Sequence, residues 1–218
     1  MSERSARGKT PGAHDSGSRA AANLTWERAT DFCELLLLAR RFLSGEISSF
    51  PGWRSAELDE ETDALLEVLS SLNRVGFLSV ASQPGSPFGP GHDGRVWGGR
   101  AFVGGFAPTD LARRLEEHSA ASGLVALASG SGEDRIDSSG DCSFPAGLRD
   151  GIPYLVLGNT AREAEIEIFR AEASPAAAEV LAGLTFLWIV DPVWGRRERL
   201  PRALSDVSFG TNAEGSSP

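Results

Sequence analysis

Apolar positions in the first third of the chain recur every three or four residues. Trp26, Ala29, Phe32, Cys33, Leu35, Leu36, Ala39 and Leu43 form a broad stripe, the pattern of a helix buried on more than one side. Thr25 is the expected N-cap, with Glu27 in the first turn, Arg40 and Arg41 near the last and Gly45 as the stop. A turn at Phe50-Pro51-Gly52-Trp53 leads to a second helical stretch from about Asp59 to Arg74. Its Leu65, Leu69 and Leu72 share a face, and Gly76 ends it.

After Gly76 the pattern changes to short apolar runs divided by turn residues. Phe77–Ser82 predicts a strand closed by Gln83-Pro84-Gly85, and Ser86–Gly94 an exposed loop. Arg95–Phe106 predicts a second strand, Pro108–Ser119 an amphipathic helix and Leu124–Ala128 a third strand. Ser129–Gly151 is mostly polar and longer than most connections, so it reads as a lid or an unstructured insertion. Ile152–Leu157 has strand length. Glu163–Phe169 alternates charged and apolar residues like an edge strand, and Pro175–Ala182 is an Ala-rich helix. Thr185–Val190 is the most apolar run and suits the middle of a sheet. The order predicts an α+β fold: a mixed β-sheet of about five to six strands with packed helices, two helices preceding the first strand.

Residues 1–22 and 209–218 lack the large apolar side chains that would offset the entropy of ordering, so both are expected to be disordered tails around a single domain, 23–208. No apolar run approaches the ~20 residues needed to cross a bilayer, and the basic N-terminus continues into Gly, Ser, His and Asp rather than an apolar signal segment. The expected location is cytoplasmic. A net charge of −9 argues against a nucleic-acid surface, which needs clustered Lys and Arg. Cys33 and Cys142 read as free thiols. The histidines, His14, His92 and His118, are scattered, and Glu133, Asp134, Asp137 and Asp141 lack the spacing of a calcium loop. Neither a metal nor a cofactor is expected.

No nucleophile elbow, phosphate loop or zinc-protease motif is present. Candidate chemistry therefore rests on polar residues at the ends of elements. Asn73 closes the second helix, and Ser82 and Gln83 close the first strand, where an amide and a hydroxyl can hold a polar ligand. Ser82-Gln83-Pro84-Gly85 reads equally well as a type II turn. Trp97 and Arg100 lie on the Gly-rich second strand, and Arg100 suits bidentate recognition of a carboxylate or phosphate unless an internal acid neutralises it. Asp191 follows the most apolar strand, with Trp194 beyond it in a loop; Asp before Pro is also a routine turn.

Three segments carry a resemblance: Asn73-Arg-Val-Gly-Phe with Ser82-Gln-Pro-Gly, Arg100-Ala-Phe-Val-Gly-Gly-Phe, and Asp191-Pro-Val-Trp-Gly. Together they resemble an uncharacterised domain of unknown function common in actinobacteria. The resemblance spans roughly residues 24–205 and implies a bacterial cytosolic origin, but no reaction. Where a polar residue such as Gln would be expected before Arg100, this chain has Gly98 and Gly99.

Two functions follow as expectations. In the first, Ser82, Gln83, Arg100, Asn73, Trp97 and Asp191 surround a small polar or anionic ligand, either only binding it or acting on it as an enzyme of unspecified reaction. In the second, it is a non-catalytic accessory module that presents Trp53, Trp97 and Trp194 to a protein partner.

Overall fold

The computed structural model describes residues 26–53, 60–130, 143–158, 160–205 and 207. Both expected tails and most of the expected 129–151 loop lie outside these residues. Helix α1 spans Phe32–Leu43. It starts later than Thr25 because Asp31 is the cap: its carboxylate accepts from Glu34 N at 2.9 Å, and the Glu34 carboxylate accepts from Thr30 N at 2.7 Å. Trp26 instead lies ahead of this helix, a helical residue followed by a turn at Glu27 and Arg28, buried against Phe50 and Phe169 with its Nε1 donating to Ser49 O. The buried face of α1 is Leu35, Leu38, Ala39 and Phe42, and Cys33 is exposed.

The expected second helix is broken into α2 (Glu60–Asp63) and α3 (Leu66–Arg74). Gly76, at φ 99°, ends α3, and Phe77 N donates back to Leu72 O at 2.9 Å, the bond that closes a glycine-terminated helix. Strands β1 (Leu78–Pro90) and β2 (Val96–Ala107) form a long hairpin. Ser82–Gly85 is therefore not a turn, and Ser86–Pro90 is strand rather than loop. Gly85 keeps a positive φ of 80° inside β1, and a Cβ there would lie 2.9 Å from Ala101 N, so the position takes only a residue without a side chain.

Helix α4 (Thr109–Ala121) and strand β3 (Val125–Ser129) follow as expected. The end of the expected long loop is instead strand β4 (Phe144–Arg149), joined to β5 (Ile152–Leu157) by Asp150-Gly151. Both turn residues have positive φ, 52° and 78°, the geometry of a type I′ hairpin.

Glu163–Phe169 belongs to helix α5 (Ala161–Glu172) rather than to an edge strand. Its charged and apolar residues satisfy both periods locally. What decides is burial of Arg162, Ile166 and Phe169 at three- and four-residue spacing, in a segment of strong helix formers. Helix α6 (Pro175–Ala182), capped by Ser174, strand β6 (Thr185–Val190) and helix α7 (Arg199–Ser205) complete the chain.

The sheet has six strands, and every pairing is antiparallel rather than mixed. β1 lies along one edge of β2. The other edge is shared: Phe102–Ala107 pairs with β6, which pairs onward with β3, while Trp97–Gly99 pairs with β4 and so with β5. The sheet therefore forks along β2. Apolar clusters cover both faces of the β6 branch. One gathers residues of α1, α5 and α6, and the other residues of α3, α4 and α7. All six residues of β6 are buried between them, as its composition predicted.

Candidate functional site

Arg100 sits where the sheet divides. The notch between β6 and β4 is filled by the loop after β6, with Asp191 N donating to Ala101 O at 2.8 Å and Gly195 N to Gly99 O at 3.0 Å. This loop extends hydrogen bonding along β2 where no strand can. The Arg100 guanidinium spans the notch: Nε donates to Pro192 O at 3.1 Å and Nη1 to Pro145 O at 2.5 Å. Its Cζ lies 3.9 Å from the Trp194 ring centre and 4.7 Å from that of Phe144, which makes a cation–π sandwich. Desolvation lowers its pKa from the ordinary arginine value, with the charge of Asp191 opposing that shift.

Asp191 is fully buried and does not pair with Arg100. Arg196 holds it through two bonds of 2.6 Å, and Val193 N donates to the same carboxylate. The bond to Asp191 raises the pKa of Arg196. The Asp-Pro-Val-Trp-Gly-Arg segment is thus a self-closed turn that presents Trp194 to Arg100 on one side and to Phe88 on the other. Arg197 continues the contact, its Nε donating to Gly85 O at 3.0 Å.

Gln83 pairs with Phe102 in the hairpin register, and its Nε2 lies 2.9 Å from where a Cβ on Gly99 would be; Ser86 Oγ lies 3.0 Å from the same point. The Gln83 amide makes no side-chain hydrogen bond among the described residues. Gln83 and Arg100 are thus close along the hairpin, and Arg100 and Asp191 adjoin the same notch. Ser82 instead lines a cleft beside α1. Asn73 is buried on α3, and neither polar atom of its side chain has a partner among the described residues. Trp97 donates from Nε1 to Asp93 and packs edge-on against Tyr154, with Arg149 over its ring at 5.3 Å. That bond is the largest cause of the lowered Asp93 pKa. The six residues do not surround one cavity.

Other residues become prominent in their place. Of the seven large apolar side chains exposed among the described residues, six lie on the β4–β5 arm or next to it: Phe88, Val96, Ile152, Tyr154, Val156 and Val193. Glycines let the rings lie flat on the sheet, with Phe88 over Gly98 and Tyr154 over Gly147. The Asp-Gly turn was the sequence signal that would have located this hairpin. No group of three or more His, Cys, Asp or Glu residues suited to a metal occurs among the described residues. No described helix is long and apolar enough to cross a membrane.

These features define an α+β protein on a forked antiparallel sheet, with helices over both faces of one branch and most of the exposed large apolar side chains on or beside the other. The profile of a family described as a domain of unknown function, DUF6919, matches residues 21–208, and the chain belongs to that family. No curated protein matches it.

Proposed function

We propose that this chain is a non-catalytic interaction module whose β4–β5 arm docks a protein partner. The observation that carries the reading is the concentration of exposed apolar residues there: Ile152 is 69% exposed, Tyr154 and Val156 each 47%, and β5 carries no charged side chain. An uncharged, apolar edge strand is a template for association unless something covers it. Trp97 and Trp194 flank it as aromatic anchors with arginines against their faces, a composition common in interface cores.

To test this, the wild-type chain and Ile152→Asp would be cross-linked in cells of the source organism, and the adducts identified by mass spectrometry. The expected outcome is a specific adduct lost in the variant while its melting temperature stays within about 2 °C. Adducts recovered equally by both proteins would remove the reading.

A second reading has its own observation, the Gln83 amide beside the Ser86 hydroxyl on the bare backbone of Gly99, near the Arg100 and Arg197 guanidiniums. These donors suit a small polar or anionic ligand, which supports the ligand-binding alternative. Thermal shift over a panel of carboxylates and phosphates, with Gln83→Ala alongside, decides it: a shift of several degrees abolished by the variant is expected, and identical responses from both proteins would exclude the site.

A further inference from the structure

Gly99 of β2 and Gly147 of β4 are direct partners across the sheet, so side chains at the two positions would point to the same face. Groups from neighbouring strands lie over the bare backbone there. A Cβ on Gly147 would meet the Tyr154 ring at 2.6 Å and its hydroxyl at 2.9 Å, and a Cβ on Gly99 would meet the Gln83 amide nitrogen at 2.9 Å and Ser86 Oγ at 3.0 Å. The two Cβ points of such a pair are about 5 Å apart. An aromatic ring, an amide and two hydroxyls therefore form one layer over the glycine pair. Gly98 and Arg100, the neighbours of Gly99 along β2, point to the opposite face, where Phe88 lies over Gly98.

The layer is not closed by its own bonds. The side chains of Gln83, Ser86 and Tyr154 make no hydrogen bond among the described residues, although each can both donate and accept. Tyr154 rests on Gly147 and is still 47% exposed, which leaves ring surface open to solvent. Trp97 meets that ring at 76° with 5.0 Å between centres, and its own Nε1 is taken by Asp93. Trp97 thus supports the platform from the side.

These features select the occupant. A carboxylate or phosphate only accepts hydrogen bonds, so it would leave the amide oxygen of Gln83 without a donor. A wholly apolar molecule would cover the amide and both hydroxyls without satisfying any of them. Neighbouring hydroxyls on a ring each donate and accept, which matches all three groups. A saccharide adds to those hydroxyls a C–H face that packs on an aromatic ring.

We propose that the layer of Tyr154, Gln83 and Ser86 binds a saccharide, its C–H face on the tyrosine ring and its hydroxyls on the amide and the serine. The proposal rests on the ligand-binding reading above and narrows it to a polyhydroxylated ligand.

The probes are methyl glucoside, methyl galactoside, methyl mannoside and N-acetylglucosamine, with malate and phosphate as anions, each titrated against the full chain by saturation-transfer difference NMR. Saturable binding of at least one sugar is expected, about tenfold or more tighter than either anion. Tyr154→Ala, which removes the platform, and Gln83→Ala, which removes the amide, should each weaken that sugar about tenfold or more while the melting temperature stays within about 2 °C. Should Tyr154→Ala be unstable, Gln83→Ala decides. Phe88→Ala, which removes an exposed ring from the opposite face, should bind like the wild type. The proposal is overturned by absence of saturable sugar binding, by wild-type affinity in a folded Tyr154→Ala or Gln83→Ala variant, or by an equal loss in Phe88→Ala. Saturable binding of malate or phosphate alone, abolished by Gln83→Ala, would also overturn it yet leave the broader ligand-binding reading standing, whereas no response to any probe would remove both.

Discussion

The two branches of the sheet share β2 yet are stabilised differently. On the β6 branch the strand is sandwiched: Phe102 and Phe106 face one apolar cluster, Ala101 and Val103 the other, and β6 has no exposed residue. On the β4 branch Gly98 and Gly99 replace bulky side chains; the Phe88 ring lies over Gly98 and the Tyr154 ring over Gly147, while the polar side chains of Gln83 and Ser86 lie over Gly99. One branch is held by burial between helices. The other touches the first cluster through Phe144, Ala146, Leu155 and Leu157 and is otherwise held by a hairpin turn, ring-on-glycine contacts and one arginine crossing the notch. A continuous strand can thus be core along one half and display surface along the other, because its side chains, not its backbone, set how much apolar area leaves water.

The contrast can be broken most severely at β6. Leu187→Ala should cost about 2–5 kcal/mol, since Leu187 is fully buried in the second cluster, whereas Ile152→Ala on the arm should cost less than about 0.5 kcal/mol; urea unfolding of the two variants measures the gap. Similar losses would show that the arm is covered in solution. A smaller effect is expected from Arg100→Met, which keeps an apolar stem but loses the bonds to Pro192 and Pro145. We expect a loss of about 1–3 kcal/mol, with hydrogen exchange accelerating in β4 and β5 and not in β6. Uniform acceleration in all strands would mean that Arg100 serves the whole sheet.

The smallest effect is electrostatic. Burial pushes the Glu165 carboxyl on α5 up to about 7. A folded-state pKa above the unfolded value means that the native state binds the proton more tightly. This contribution is complete below the unfolded value of roughly 4.3 and is lost as pH rises through about 7. Glu165→Gln should flatten that decline, by about 1–2 kcal/mol between pH 5 and 8, in urea unfolding across pH. A pH profile identical to that of the wild type would show that Glu165 ionises freely in the folded protein.

Elements whose own composition decides their state were legible in the sequence. α4, α6, β3 and β6 lie close to where periodicity put them, because each carries one consistent signal. The misses have separate causes. Thr25 and Asp31 are both good caps, and only the reciprocal bonds of Thr30, Asp31 and Glu34 select the second. Glu163–Phe169 fits two periods, and tertiary burial chose the helix. β4 was lost inside a polar stretch although Asp150-Gly151 announced the hairpin. Among the site residues, Gln83 and Arg100 come near each other through the β1–β2 register, in which Gln83 faces Phe102. The partners of Arg100 were not legible, because two are backbone carbonyls contributed by Pro145 and Pro192, and a backbone carbonyl carries no residue-specific signal.

The plug after β6 makes the length of that connection a constraint as strong as its chemistry. Asp191 and Gly195 each meet a fixed carbonyl of β2, so the residues between them act as a spacer of set reach, and Trp194 is clamped because it falls inside that spacer. Lengthening the spacer by a single residue would detach one anchor and turn the indole away from Arg100, separating the two branches without altering any side chain in either core.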